Sequence, residues 1–86
     1  MTLRLVADVH DQGTTIRLIG RMRVEHVEHL RVEIAASLAP VALDLDELTL
    51  ADVDAVRFLV RAERQGIVLQ HCAPFIREWM SREADR

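Results

Sequence analysis

The hydrophobic and polar positions change period several times along the 86 residues, and each change marks an element. Leu3 to Val9 is rich in Leu and Val and reads as an extended segment, closed by Asp11-Gln12-Gly13. That tripeptide is a turn signal, because glycine adopts the positive φ of a tight hairpin at little steric cost. Thr14 to Gly20 returns with β-branched residues, Ile16 and Leu18 on one face and Arg17 on the other, the alternation of a half-buried strand. From Val24 to Leu38 the apolar residues Val24, Val27, Leu30, Ile34, Ala35 and Leu38 recur mostly at steps of three and four, which predicts a helix. Glu25 and Glu28 suit its positive end, and Pro40 stops it.

Val41 to Leu45 reads as a short buried strand, and Asp46 to Ala51 as a connector. Asp52 is placed to cap a second helix running through Arg64, with Ala55, Val56, Leu59, Val60 and Ala62 on its apolar side. Gly66 ends that helix and Ile67 to Gln70 forms another strand. Pro74 opens a last helix bearing Phe75, Ile76, Trp79 and Met80, and Ser81 to Arg86 is a polar tail. The expected fold is α/β, in the order β-β-α-β-α-β-α within one domain spanning residues 1–86. Alternating strands and helices imply a small mixed sheet of about four strands, with the helices mainly on one face.

Composition narrows the chemistry. Lysine and tyrosine are absent, so Schiff-base catalysis and phenolic acids are excluded. The two serines, Ser37 and Ser81, lie in no nucleophile-elbow context, and Gly13, Gly20 and Gly66 are too far apart to cradle a phosphate. No enzyme activity and no cofactor are expected. The net charge of −3 comes from arginines interspersed with acids, and two Phe and one Trp offer little stacking surface. Nucleic acid is therefore not an expected partner. Lone Cys72 cannot form an internal disulfide, and no stretch approaches the ~20 apolar residues of a membrane span. The expected setting is cytoplasmic, with no membrane insertion.

The segment VALDLDELTLADVDAVRFL, from Val41 to Leu59, resembles the STAS domain, the fold of bacterial anti-sigma factor antagonists. That family shows an apolar strand ending Leu-Asp-Leu, matched by Leu43-Asp44-Leu45, a connector matched by Leu48-Thr49-Leu50, and an Asp that opens a helix, matched by Asp52. Ile16 to Met22 is similar to the strand before the family's first helix, and the resemblance covers residues 3–80. It implies a non-enzymatic protein-binding module whose partner is an anti-sigma factor kinase or a STAS-type regulatory complex. Two alternatives are a regulatory subunit of a lipid-transporting ABC complex and a small-ligand sensor. In the family a serine after the Asp is phosphorylated to switch binding. Here that position is Val53, so the switch is lost, and the family's glycine falls on Ala55.

The resemblance places partner binding on Asp46, Asp52, Val53, Asp54, Arg57 and Arg61. The acids Asp46, Glu47, Asp52 and Asp54 would imitate part of a phosphate's charge, although capping accounts for Asp52 by itself. Arg57, Arg61 and Arg64 lie at i, i+4 and i+7 and form a basic ridge. His26, His29 and Glu33 share a helical line, but no other His-rich segment converges on them, so no metal is expected. A helix dipole beside Cys72 would lower its thiol pKa. Phe75 and Trp79 on a short terminal helix suggest a homodimer or partner contact there.

Overall fold

The structure, a computed structural model, describes residues 3–85. β1 (Leu3–His10) and β2 (Gly13–Met22) form an antiparallel hairpin with an unbroken register from Leu3↔Gly20 to His10↔Gly13. α1 (Val24–Ala36) crosses to β3 (Val41–Asp44), β4 (Leu48–Ala51) follows, and α2 (Val53–Arg64) crosses to β5 (Val68–Gln70) before α3 (Pro74–Ala84). The sheet order is β1-β2-β3-β5, with β4 also paired to β2. β2 pairs parallel with β3, and β3 parallel with β5. Both crossovers step across the sheet in the same direction. Right-handed connections then deliver their helices to the same face, leaving the other face open.

The segment expected to be a connector is in fact a strand. β3 occupies the Thr14–Arg17 part of β2, and β4 the Gly20–Met22 part of the same edge, with a bulge at Gly20/Arg21. The chain between them turns at Leu45, whose amide reaches the Gln70 carbonyl at 2.9 Å, and rejoins β2 where Gly20 N–H donates to the Glu47 carbonyl at 3.0 Å. The hairpin glycine is required twice over. Gly13 has φ +123°, and a Cβ there would collide with the Pro40 carbonyl oxygen. That oxygen accepts the Thr14 N–H at 3.0 Å, while the buried Thr14 hydroxyl donates to the Leu38 carbonyl at 2.8 Å.

Ile16, Leu18, Met22, Leu43, Leu45 and Leu59 are fully buried between sheet and helices. α2 is the helix most deeply seated, burying Ala55, Val56, Phe58, Leu59, Val60 and Ala62. α1 fully buries only Leu30, with Val27 and Ile34 packed at the margin. At roughly 1.5–3 kcal/mol per large apolar side chain buried, α1 is the weakest attached. Its apolar stripe is only partly used, since Val24 and Leu38 stand in solvent and the helix stops at Ala36 rather than Leu38. α3 instead runs past the expected polar start at Ser81, because Ile76 and Met80 are buried and Ala84 continues their line against the core.

Candidate functional site

The ends of β2 and β4 and the starts of α1 and α2 meet at Asp52. Its amide donates to the Met22 carbonyl at 3.1 Å, which continues the sheet by one bond. Its carboxylate then serves both helices. Oδ1 accepts the Ala55 N–H of α2 at 2.9 Å, and Oδ2 accepts the Val24 N–H of α1 at 2.9 Å. The second bond is needed because α1 begins after Arg23, whose side chain has no acceptor. At that start His26 Nδ1 takes the Arg23 N–H at 3.0 Å. The sequence predicts the cap on α2; the tie to α1 spans 28 positions.

Val53 follows as the first residue of α2, half-buried, with Asp54 exposed beside it. The arginine ridge divides in three. Arg57 Nε donates to Glu83 Oε1 at 2.8 Å, and that glutamate side chain is only 8% exposed. The Glu83 carboxylate, helped by Asp54, pushes the Arg57 guanidinium above its ordinary value. Arg64 Nη2 donates to the Ala84 carbonyl at 3.1 Å. The Arg61 side chain alone of the three has no bonding partner among the described residues. Glu63, on the same helix, is engaged by Arg77 at 2.8 Å.

Asp46 stands apart from Asp52, with the whole of β4 between them. Its amide donates to Asp44 Oδ1 at 3.0 Å, and the same oxygen meets His71 Nδ1 at 3.0 Å. The Asp44 carboxylate raises the His71 pKa, first by that bond and then by charge, and His71 in turn lowers Asp44. Glu47 pairs with Arg17 at 3.2 Å. The acids expected as one cluster are therefore two groups.

Two residues near Asp52 escaped the sequence reading. Leu50, two positions before it, is 47% exposed, and Val24, bonded to it, is 54% exposed. Neither had a readable signal, since Val24 looked like part of a buried stripe and Leu50 like part of a connector. One other expectation resolves differently. Burial pushes the Cys72 thiol up rather than down, only partly offset by Arg77. The helix beyond it starts with Pro74, which has no N–H to offer a thiolate. His29 lies 3.6 Å from Glu33, and with His26 they border a groove of about 400 Å³ over Leu3, Leu5 and Ile16. No group of three or more metal-capable side chains occurs among the described residues. On α3, Phe75 is exposed and Trp79 is half-buried against the core.

No protein-family model matches the chain. No curated protein matches it either. The likeness lies in three dimensions. The crystal structure of an anti-sigma-factor antagonist STAS domain from Rhodobacter sphaeroides superposes on it with a TM-score of 0.58, covering 80% of this chain and 84% of that one at 18% identity. The fold is that of a STAS domain. The α/β order expected from the sequence stands, with β4 added to make five strands. Within this STAS fold, Asp52 and Val53 occupy the junction at which the carboxyl ends of parallel strands meet helix starts, the usual place for a site in an open α/β sheet. None of the helices among the described residues is long and apolar enough to cross a membrane.

Proposed function

We propose that this chain is a non-enzymatic protein-binding module of the anti-sigma-factor-antagonist kind, with its contact surface at the start of α2. The observation that carries the reading is the half-exposed Leu50, held in water on a strand hydrogen-bonded to β2, with exposed Val24 on the other side of Asp52. Aliphatic side chains at the centre and charged ones at the margin, here Asp54, Arg57 and Arg61, match the anatomy of a protein interface. Asp52 acts as the internal brace of this surface, because both of its oxygens are engaged by backbone amides. Asp46 stands at its far margin. Catalysis finds no support: Ser37 donates to the Glu33 carbonyl within α1, and neither serine has a histidine as partner among the described residues.

The proposed partner is a kinase-type anti-sigma factor. Val53 has no hydroxyl, so engagement is constitutive rather than gated by phosphorylation at that position. The test is capture from the native cytosol with the tagged chain beside Leu50→Asp and Arg61→Glu. The expected result is a kinase-type anti-sigma factor retained by the native chain and lost from both variants at unchanged thermal stability. Retention by both variants would remove this surface from consideration. A transporter ATPase in place of the kinase would favour the ABC-subunit reading.

A further inference from the structure

The open edges of the sheet are unlike: β1 lies on one side, and the short strands β5 and β4 on the other. β5 is three residues long and offers little to a further strand. β1 is eight residues long, straight in register, and free of bulge or proline, the devices that usually blunt an edge. Two backbone bonds reveal which of its groups face outward. Thr14 and Gly20 donate their amides to Pro40 and Glu47, away from β1. Their opposites on β1, Val9 and Leu3, are therefore not hydrogen-bonded to β2. By alternation Leu3, Leu5, Ala7 and Val9 turn their N–H and C=O groups to the open edge.

We propose that β1 is a homodimerisation edge, two copies pairing antiparallel about a two-fold axis at Val6 so that one sheet runs through both. Outward residues must face outward residues, so the register can slip only in steps of two. With Val6 opposite the partner's Val6, Leu3 meets the partner's Val9 and Leu5 meets the partner's Ala7 in the hydrogen-bonded pairs. On the open face Arg4 meets the partner's Asp8, and symmetry repeats that pair. These sites are the closely spaced, non-hydrogen-bonded ones, with Cα atoms ~4.5 Å apart, where opposite charges attract across strands. A slip of two residues sets Arg4 against Val6 or His10 and leaves no acid facing an arginine. The same register accounts for Val9, which is 70% exposed on the helix-bearing face. In the dimer it lies beside Leu3 and extends the floor of the groove under α1. The proposal is independent of the partner surface at α2, so either can fail alone.

The side chains of Arg4 and Asp8 are exposed and make no hydrogen bond or ion pair among the described residues, so their charges can be reversed without touching the core. Sedimentation equilibrium from micromolar to millimolar chain reads the result, with circular dichroism confirming that each variant is folded. Arg4→Asp and Asp8→Arg should each weaken the dimer about tenfold or more, because both symmetry-related pairs become repulsive. The double variant carrying both changes should recover the native constant. Val6→Cys in a Cys72→Ser background should oxidise to a linked dimer, since a non-hydrogen-bonded site suits disulfide geometry. A monomer at every concentration overturns the proposal. So does a dimer indifferent to the single reversals, or one lost instead in Phe75→Ser, which would assign association to α3.

Discussion

Replacing Asp52 by alanine removes two hydrogen bonds from two different helices. The Ala55 amide loses an acceptor at 2.9 Å, and so does the Val24 amide. Loss of an N-cap carboxylate costs about 1 kcal/mol, with a range of roughly 0.5–2. The Val24 bond is exposed, so water takes over part of it, and its share is about 1 kcal/mol. The sum, ~2 kcal/mol, is a large part of the roughly 4–13 kcal/mol that a chain of this length holds in all. It should lower Tm by about 8–16 °C. Urea unfolding followed by Trp79 fluorescence measures the loss, with an unchanged m-value showing that the unfolding transition is the same one. The bridge itself is isolated by Val24→Pro, which deletes the donor. Proline is accepted at a first helical position, and Arg23 before it is already extended, at φ −127° and ψ 172°. In that background Asp52→Ala should cost about 1 kcal/mol less. Equal costs in the two backgrounds, or a loss below about 0.5 kcal/mol in the native one, would refute the bridge.

The His71–Asp44 pair gives a pH dependence. The His71 pKa is raised on folding, so its contribution is fully present below the unfolded value of about 6.5 and is lost as pH rises through the folded value. The Asp44 pKa is lowered, so its contribution is present above its unfolded value of about 3.9 and is lost as pH falls through the folded one. The urea midpoint should therefore fall between pH 5.5 and pH 8 in the native chain. It should fall less in His71→Asn, a residue that tolerates the φ of 55° found there; equal slopes would remove the pair from the account. The glycines should separate by space. Gly13→Ala meets both an unfavourable φ and the Pro40 oxygen, whereas Gly66→Ala at φ +96° meets open space. Gly66→Ala should cost about 1 kcal/mol and Gly13→Ala clearly more, and the reverse order in urea would contradict the close approach.

What the sequence conveyed was mostly local. The β1–β2 hairpin, the Asp52 cap on α2 and the Gly66 stop each depend on residues within a few positions of one another, and all three stand as read. The misses involve distant partners. Leu48–Ala51 is apolar at three of four positions but too short to declare itself, and becomes a strand because β2 supplies the pairing edge. The Val24–Asp52 bond spans 28 positions. Arg57 and Arg64 had readable spacing, but their anchoring on Glu83 and Ala84 was hidden in residues that looked like a polar tail. α1 had a continuous apolar stripe. Periodicity cannot say how much sheet lies beneath it, and at Val24 and Leu38 there is none to cover.

The division of one β2 edge between β3 and β4 separates two tasks that a single strand would have to share. β3 is locked between β2 and β5, and Leu43 at its centre is fully buried. β4 touches the sheet only through β2 and carries Leu50 and the approach to Asp52. Between them Asp46 and Glu47 make the turn, held by the Leu48 amide on the Leu45 carbonyl at 3.1 Å and by the Gly20 amide on the Glu47 carbonyl at 3.0 Å. The strand that fixes the sheet and the strand that holds Leu50 in water are thus different strands, so a substitution at Leu50 leaves the β3 register untouched.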